Sequence, residues 1–194
     1  MPDVYLPGAF DLAGTIVGVV EQDNIIDSST IHPGDVLLGL PSSGLHTNGY
    51  SLARKVFARY PYDTMFPELG EPLIDALLRP HRCYLREIQA LQEAGIPLKS
   101  IAHITGGGFQ GNIARVLPAG AEAAIDQSLW EIPPLFTLIA RLGKVSRDEM
   151  FRTFNMGVGM VVVLAADQVE QTRSIVPELL HIGHVREGNG VTIL

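Results

Sequence analysis

Two segments rich in glycine and hydroxyl side chains are candidates for binding an anion. Residues 42–51 follow an apolar stretch at 36–40 and precede a helical pattern. Residues 105–108 read Thr-Gly-Gly-Gly after a second short apolar stretch and again precede a helical pattern. A loop between a strand and a helix offers backbone N–H groups and the positive end of the helix dipole to an anion. Phosphate is therefore the ligand class that both segments favour.

The first segment combines hydrogen-bonding side chains with glycines that let a ligand approach the backbone. Its candidate binding residues are Ser42, Ser43, Gly44, Thr47, Asn48, Gly49 and Ser51. His46 lies among them and can donate, accept or carry a charge near neutral pH. The segment is not a Walker loop, because no Gly-Lys-Ser/Thr follows. It is not a dinucleotide-binding loop either, because its glycine spacing differs from that fingerprint. An ordinary strand-to-helix turn, with Ser or Asn as the N-cap, remains the alternative.

The second segment supplies Thr105, Gly106, Gly107 and Gly108 as further candidates. Each glycine costs conformational entropy on folding, so three in succession favour a ligand loop over a plain turn. His103 comes just before this segment and is either a core histidine or an acid or base in an active site.

Asn155 lies where a helical pattern gives way to an apolar strand. Its amide could hold a ligand or another loop. Alternatively, this position is a helix C-cap with Gly157 as the turn residue.

Composition narrows the class of protein. The 194 residues are 46% hydrophobic and carry a formal net charge of -7 without a cluster of Lys and Arg, which argues against a nucleic-acid-binding surface. The single cysteine, Cys83, cannot form an internal disulfide and fits a reducing compartment. We find no apolar run long enough to cross a bilayer and no signal-peptide pattern, so we expect a cytoplasmic protein. No group of acidic residues has the spacing of a Mg²⁺ site, and no metal site is predicted.

Helical and strand patterns alternate along the chain, which predicts an α/β layered domain with a mixed β-sheet covered by helices. Helices are predicted at residues 51–60, 72–78, 80–94, 109–116, 134–142, 147–154 and 167–176, the last with Asp167 as its cap. Strands are predicted at residues 12–20, 36–40, 100–104, 121–125, 157–164, 180–185 and 191–194.

Three stretches, in this order, resemble the phosphoribosylformylglycinamidine cyclo-ligase (AIR synthetase) family of purine biosynthesis. They are Ser42-Ser-Gly-Leu-His-Thr-Asn-Gly-Tyr-Ser-Leu52, His103-Ile-Thr-Gly-Gly-Gly-Phe109 and Thr153-Phe-Asn-Met-Gly-Val-Gly-Met160. Residues 1–5 and 10–14 are also similar to the family, so the resemblance covers essentially the whole chain.

The resemblance implies an ATP-dependent ring closure of formylglycinamidine ribonucleotide to aminoimidazole ribonucleotide. By similarity, the loop from Ser42 to Ser51 binds the substrate phosphate with His46 nearby, and Thr105 to Gly108 line the same cleft. From their positions in or beside these loops, we expect Asn155 to bind the substrate and His46 or His103 to polarise the amide or move a proton. ATP and Mg²⁺ belong to a preceding half of the family's proteins. We therefore expect residues 1–20 to be the tail of that half, residues 21–194 to form the C-terminal domain, and this chain alone to be inactive.

Members of the family dimerise through that preceding half, so the resemblance also implies a homodimer. Two alternatives remain open. The first is another ATP-using enzyme of the same superfamily, such as selenophosphate synthetase or thiamine-monophosphate kinase, although the text His46-Thr-Asn-Gly-Tyr-Ser51 argues against it. The second is a non-catalytic module for ligand binding or assembly.

Overall fold

The core of the protein is one six-stranded sheet, seen in a computed structural model that describes residues 13–194. This confirms the predicted mixed sheet covered by helices. In the order β2-β4-β1-β5-β3-β6, the sheet contains β1 (Val36–Pro41), β2 (Ser100–His103), β3 (Ala121–Ile125), β4 (Val158–Leu164), β5 (Leu180–Glu187) and β6 (Gly190–Ile193).

The position of β4 decides which loops are neighbours. It lies between β1 and β2 and pairs antiparallel with both, so that Met160 is opposite Leu40 on one side and His103 on the other. β1 and β2 must therefore point in the same direction. Both end at the edge of the sheet where β4 begins, and we call this edge the loop edge.

Helices cover both faces of the sheet. They are α1 (Tyr50–Phe57), α2 (Leu73–Leu77), α3 (Leu85–Glu93), α4 (Gly108–Ile113), α5 (Pro134–Gly143), α6 (Arg147–Thr153) and α7 (Val169–Ile175). The alternation of side chains along β1 sends Leu37 into one core with Phe109 and Phe136, and Leu38 into a second core with Leu91. Burial on both faces explains why β1 and β4 read as nearly continuous apolar runs.

The predicted strand at residues 12–20 is wrong for the residues that the structure describes. Residues 13–20 form no strand and are exposed, with Ile16 at 96% and Val19 at 98% of full exposure, while Leu12 lies outside the described part. β-Branched residues form a strand only when a neighbouring strand pairs with them, and none of the six strands is paired with this segment.

The predicted helix at residues 80–94 begins later, at Leu85. Residues 80–84 instead cross the end of β1, where Tyr84 Oη and the Arg82 guanidinium both donate hydrogen bonds to the Pro41 carbonyl. Arg82 also forms ion pairs with Glu87 and Glu178. These tertiary contacts hold the segment in a non-helical path.

The C-terminal helix also differs from its predicted form. Residues Ala166–Gln168 form a 3-10 turn that contains Asp167, and α7 follows at Val169. Asp167 therefore lies inside the turn, and no side chain caps α7. Across residues 13–194, every helix is too short or too polar to traverse a lipid bilayer.

Candidate anion-binding loops and histidine cluster

Three loops meet at the loop edge: residues 42–49 after β1, residues 104–107 after β2, and residues 154–157 before β4. Asn48 Nδ2 donates a hydrogen bond of 2.6 Å to Thr105 Oγ1, which joins the first loop to the second. The Ser42 amide donates to the Gly157 carbonyl at 2.8 Å, which joins the first loop to the third. The fold thus brings together the three segments that the sequence singles out.

Asn155 connects two of these loops through its buried amide. Its Oδ1 accepts hydrogen bonds from Ser42 Oγ and from the Gly157 amide, both at 2.9 Å. Its Nδ2 donates to the Gly44 carbonyl at 2.8 Å. Of the roles considered for this residue, the structure supports holding another loop, because both ends of the amide are used within the protein.

The donors of Ser42 and Ser43 are also used internally. The Ser43 amide donates to His46 Nε2 at 3.1 Å, and Ser43 Oγ donates to the Pro80 carbonyl at 2.7 Å. Thr47, Ser51, Gly106 and Gly107 are exposed, whereas Asn48 and Thr105, like Ser42 and Ser43, are half-buried. The groups that face solvent at the loop edge are therefore a subset of the predicted binding residues.

Two of the predicted binding glycines are required by packing. A Cβ on Gly108 would lie 1.8 Å from the Phe151 carbonyl oxygen, and one on Gly49 would lie 2.1 Å from the Phe154 ring. Both residues also have a φ in the left-handed region, 58° and 79° respectively. Their glycine identity thus has a structural cause that involves no ligand.

Asn112 stabilises the second loop by hydrogen bonds from its side chain. The sequence patterns gave this residue no role. Its buried Nδ2 donates to the carbonyls of Thr105, Gly106 and Gly108, at distances of 3.1, 3.3 and 2.7 Å. A polar residue at a core-facing position of a helix is the signal that could have identified it.

Three histidines lie together beside these loops. His46 is buried, and its ring stacks on that of His81 with centroids 4.0 Å apart and an angle of 16°. His103 Nε2 lies 3.2 Å from His81 Nε2. The sequence did not point to His81, because residues 80–84 were assigned to a helix.

The environment of this cluster favours neutral imidazoles. Burial, followed by the charges of His81, His103 and Arg82, lowers the pKa of His46 to about 4. Burial and the charge of His81 also lower the pKa of His103. At neutral pH, His46 and His103 are therefore hydrogen-bonding groups without a positive charge.

Among residues 13–194, His46, His81 and His103 are the one group of three or more His, Cys, Asp or Glu side chains close enough to share a metal ion. Mg²⁺ prefers carboxylate, phosphate and water oxygens to imidazole nitrogens. The one close group of three possible metal ligands among these residues therefore has the wrong donor chemistry for Mg²⁺.

Comparison with known proteins identifies the family. The family described as "AIR synthase related protein, C-terminal domain" matches residues 32–194. The chain belongs to this family. The chain is 48% identical over 197 residues to a phosphoribosylformylglycinamidine cyclo-ligase of Myxococcus xanthus, covering 98% of this chain and 57% of that protein. It is 44% identical over 201 residues to the protein of the same name from Caldanaerobacter subterraneus subsp. tengcongensis, covering 100% of this chain and 59% of the relative.

The chain thus spans slightly less than three-fifths of the length of these curated relatives. Among solved structures, thiamine-monophosphate kinase from Stenotrophomonas maltophilia matches with a TM-score of 0.60 at 17% identity. The match covers 90% of this chain and 54% of that one. At this level of identity the likeness concerns the fold alone.

We expect Asn155→Ala to destabilise the protein by about 2 kcal/mol, because it leaves the buried Gly44 carbonyl and Gly157 amide without partners. Urea unfolding measures the free energy, and hydrogen exchange should show faster exchange in residues 42–49. The exposed Asn189 provides the control, since Asn189→Ala removes a single weak contact of 3.4 Å to the Gly120 amide. Equal losses in the two variants would contradict the role given to Asn155.

Stability should decrease as the pH falls from about 6.5 to about 4. The pKa of His46 is about 4 in the folded protein and 6.5 for an unperturbed histidine, so the unfolded chain binds more protons in this interval. The midpoint of urea unfolding, measured at several pH values, gives the slope of stability against pH. In His46→Asn the slope should be smaller, and an unchanged slope would show that another group is responsible.

Proposed function

We propose that this chain is the substrate-holding C-terminal part of a phosphoribosylformylglycinamidine cyclo-ligase. The reaction is the ATP-dependent closure of formylglycinamidine ribonucleotide to aminoimidazole ribonucleotide, a step of purine biosynthesis in the cytoplasm. The observation that carries the proposal is the meeting of three loops at the loop edge, with Asn48 bonded to Thr105 across two of them. The names and identities of the curated relatives support the choice of substrate.

We assign the substrate phosphate to the solvent-facing part of the loop edge. Thr47, Asn48, Ser51 and Thr105 offer side-chain donors, and the exposed Gly106 and Gly107 allow a close approach to the backbone. The remaining candidates hold these groups in position through internal bonds and packing: Ser42, Ser43, Gly44, Gly49, Gly108 and Asn155.

His103 and His46 are the proposed catalytic groups. In the reaction, the formyl amide oxygen is phosphorylated by ATP. The amidine nitrogen then attacks the formyl carbon, and phosphate leaves as the imidazole ring closes. His103 is exposed at the end of β2, where it can donate a hydrogen bond to the amide or accept a proton from the attacking nitrogen. His46 is buried behind it with a neutral ring, and the loops supply the alignment of the two reacting ends.

ATP and Mg²⁺ are assigned to the part of the relatives that this chain does not cover. This assignment is supported by the length of the relatives, of which the chain covers 57% and 59%. We further propose that residues 1–20 belong to that ATP-binding part, that residues 21–194 form the C-terminal domain, and that the chain alone does not turn over substrate. The complete protein is proposed to be a homodimer.

Substrate binding tests this proposal. Isothermal titration of the chain with formylglycinamidine ribonucleotide should show binding without ATP, and adding ATP should produce no hydrolysis. Asn48→Ala and Thr105→Val should each weaken binding by about 10-fold, since each removes a hydrogen bond to a charged group. Thr137→Val is the matched control, because Thr137 is exposed and bonds to the Pro134 carbonyl within its own helix.

Two outcomes would contradict the proposal. A chain that binds no ribonucleotide at millimolar concentration would remove the substrate assignment. Binding that Thr137→Val weakens as much as Thr105→Val does would remove the assignment of the phosphate to the loop edge.

The exposed segment before β1 should cause self-association when the chain is produced alone. Val17 and Val19 are 87% and 98% exposed, and such an unpaired apolar stretch is prone to pair with a second copy. Light scattering after size exclusion should show a mass that rises with concentration. The rise should disappear in the double variant Val17→Ser, Val19→Ser and persist in Leu78→Ser, which alters an exposed leucine elsewhere. A concentration-independent monomer would contradict this part of the proposal.

A further inference from the structure

We propose that His46, His81 and His103 bind a transition-metal cation such as Zn²⁺. One nitrogen from each ring lies within 4.8 Å of the other two. This inference does not rest on the cyclo-ligase reaction, because it follows from the arrangement of the three rings. An ion bound there would occupy the imidazoles to which we assign proton handling, and would therefore compete with that role.

The spacing of two nitrogens already matches a metal site. His81 Nε2 and His103 Nε2 are 3.2 Å apart. Two imidazole nitrogens on one tetrahedral Zn²⁺, each about 2.0–2.1 Å from the metal, are roughly 3.3 Å apart. The two rings therefore need little movement to share an ion.

His46 supplies the third ligand through Nδ1. This atom is buried and has no hydrogen-bond partner within the described part of the chain, while Nε2 accepts a hydrogen bond from the Ser43 amide. Coordination through Nδ1 leaves the ring proton on Nε2, so the Ser43 hydrogen bond is exchanged for the metal bond. The ring must also turn out of its stack with His81, because a metal in the plane of one stacked ring lies off the plane of the other.

The backbone that carries the three rings is held from several sides. His46 belongs to the loop after β1, and His103 ends β2. The segment that carries His81 is fixed by the ion pair between Arg82 and Glu178 and by the hydrogen bond from Tyr84 Oη to the Pro41 carbonyl. A site built on anchored elements loses less entropy when the ion binds.

The donor set selects the class of metal. Three imidazoles without a carboxylate favour Zn²⁺, Cu²⁺ or Ni²⁺ over Mg²⁺ and Ca²⁺. A water molecule would complete a four-coordinate ion on the solvent side, where His81 and His103 are exposed.

Titration with Zn²⁺ alone tests the site on the chain without any nucleotide. We expect one ion per chain, with binding at least about 10-fold weaker in His81→Ala, His103→Ala and His46→Asn, since each removes a ligand. Asn is chosen at His46 because it tolerates the left-handed backbone found there, where φ is 59°. The control is His184→Ala, an exposed histidine on β5 outside the cluster, which should bind as the unaltered chain does.

Co²⁺ provides a second readout that does not depend on the His46 variant folding. The unaltered chain should give the intense visible absorption of a tetrahedral Co²⁺ ion, and the amide resonance of Ser43 should shift as it loses its acceptor. The site would be overturned if the unaltered chain bound Co²⁺ no more tightly than the double variant His81→Ala, His103→Ala. An unmoved Ser43 resonance at saturation would overturn the assignment of His46 Nδ1. Because no ribonucleotide is present, either failure is distinct from a failure of the proposed function.

Discussion

The antiparallel pairing of β4 with both β1 and β2 is the constraint on which the rest of the structure depends. It makes two strands that are far apart in the sequence end at the same edge, and it places the third loop, which leads into β4, at that edge as well. Asn155 then fixes the geometry of these loops, because its buried amide can satisfy its hydrogen bonds only if the Ser42 hydroxyl and the Gly44 carbonyl lie against it. Sheet register and one side-chain amide together determine the shape of the site.

Internal hydrogen bonds also determine which donor groups remain free to bind a ligand. The loop uses the donors of Ser42 and Ser43 to hold itself in place, and burial keeps His46 uncharged. An anion at this edge would therefore be bound mainly by neutral donors and exposed backbone.

The relation of this chain to its relatives fits a division of labour within a longer protein. The relatives are longer than the matched segment, since the chain covers 57% and 59% of the two relatives compared. The exposed Ile16, Val17 and Val19 are the kind of apolar surface that another domain or another copy would cover.

The sequence by itself determined the fold class, most element positions and the family. Element positions follow largely from local apolar patterns and turn residues. β3 at Ala121–Ile125 therefore has the predicted bounds, and α5 differs from its prediction by a single residue at Gly143. The three motifs also singled out three loops that the fold brings together, because hydroxyls, amides and glycines are visible in the sequence.

Only the tertiary structure decided how those residues divide between ligand contact and support. Gly108 reads as a ligand-loop glycine, yet its Cβ would overlap the carbonyl of Phe151, a contact between residues 43 positions apart. The role of His81 in the cluster could not be predicted, because the local pattern favours a helix there. The Arg82 ion pair with Glu178 and the Tyr84 hydrogen bond to Pro41 instead hold that segment across the end of β1. Of the strand predicted at residues 12–20, the described residues 13–20 form none, because a strand needs a partner that local sequence cannot reveal. These features depend on contacts between residues that are distant in the sequence, and the pattern of a single sequence does not reveal such contacts.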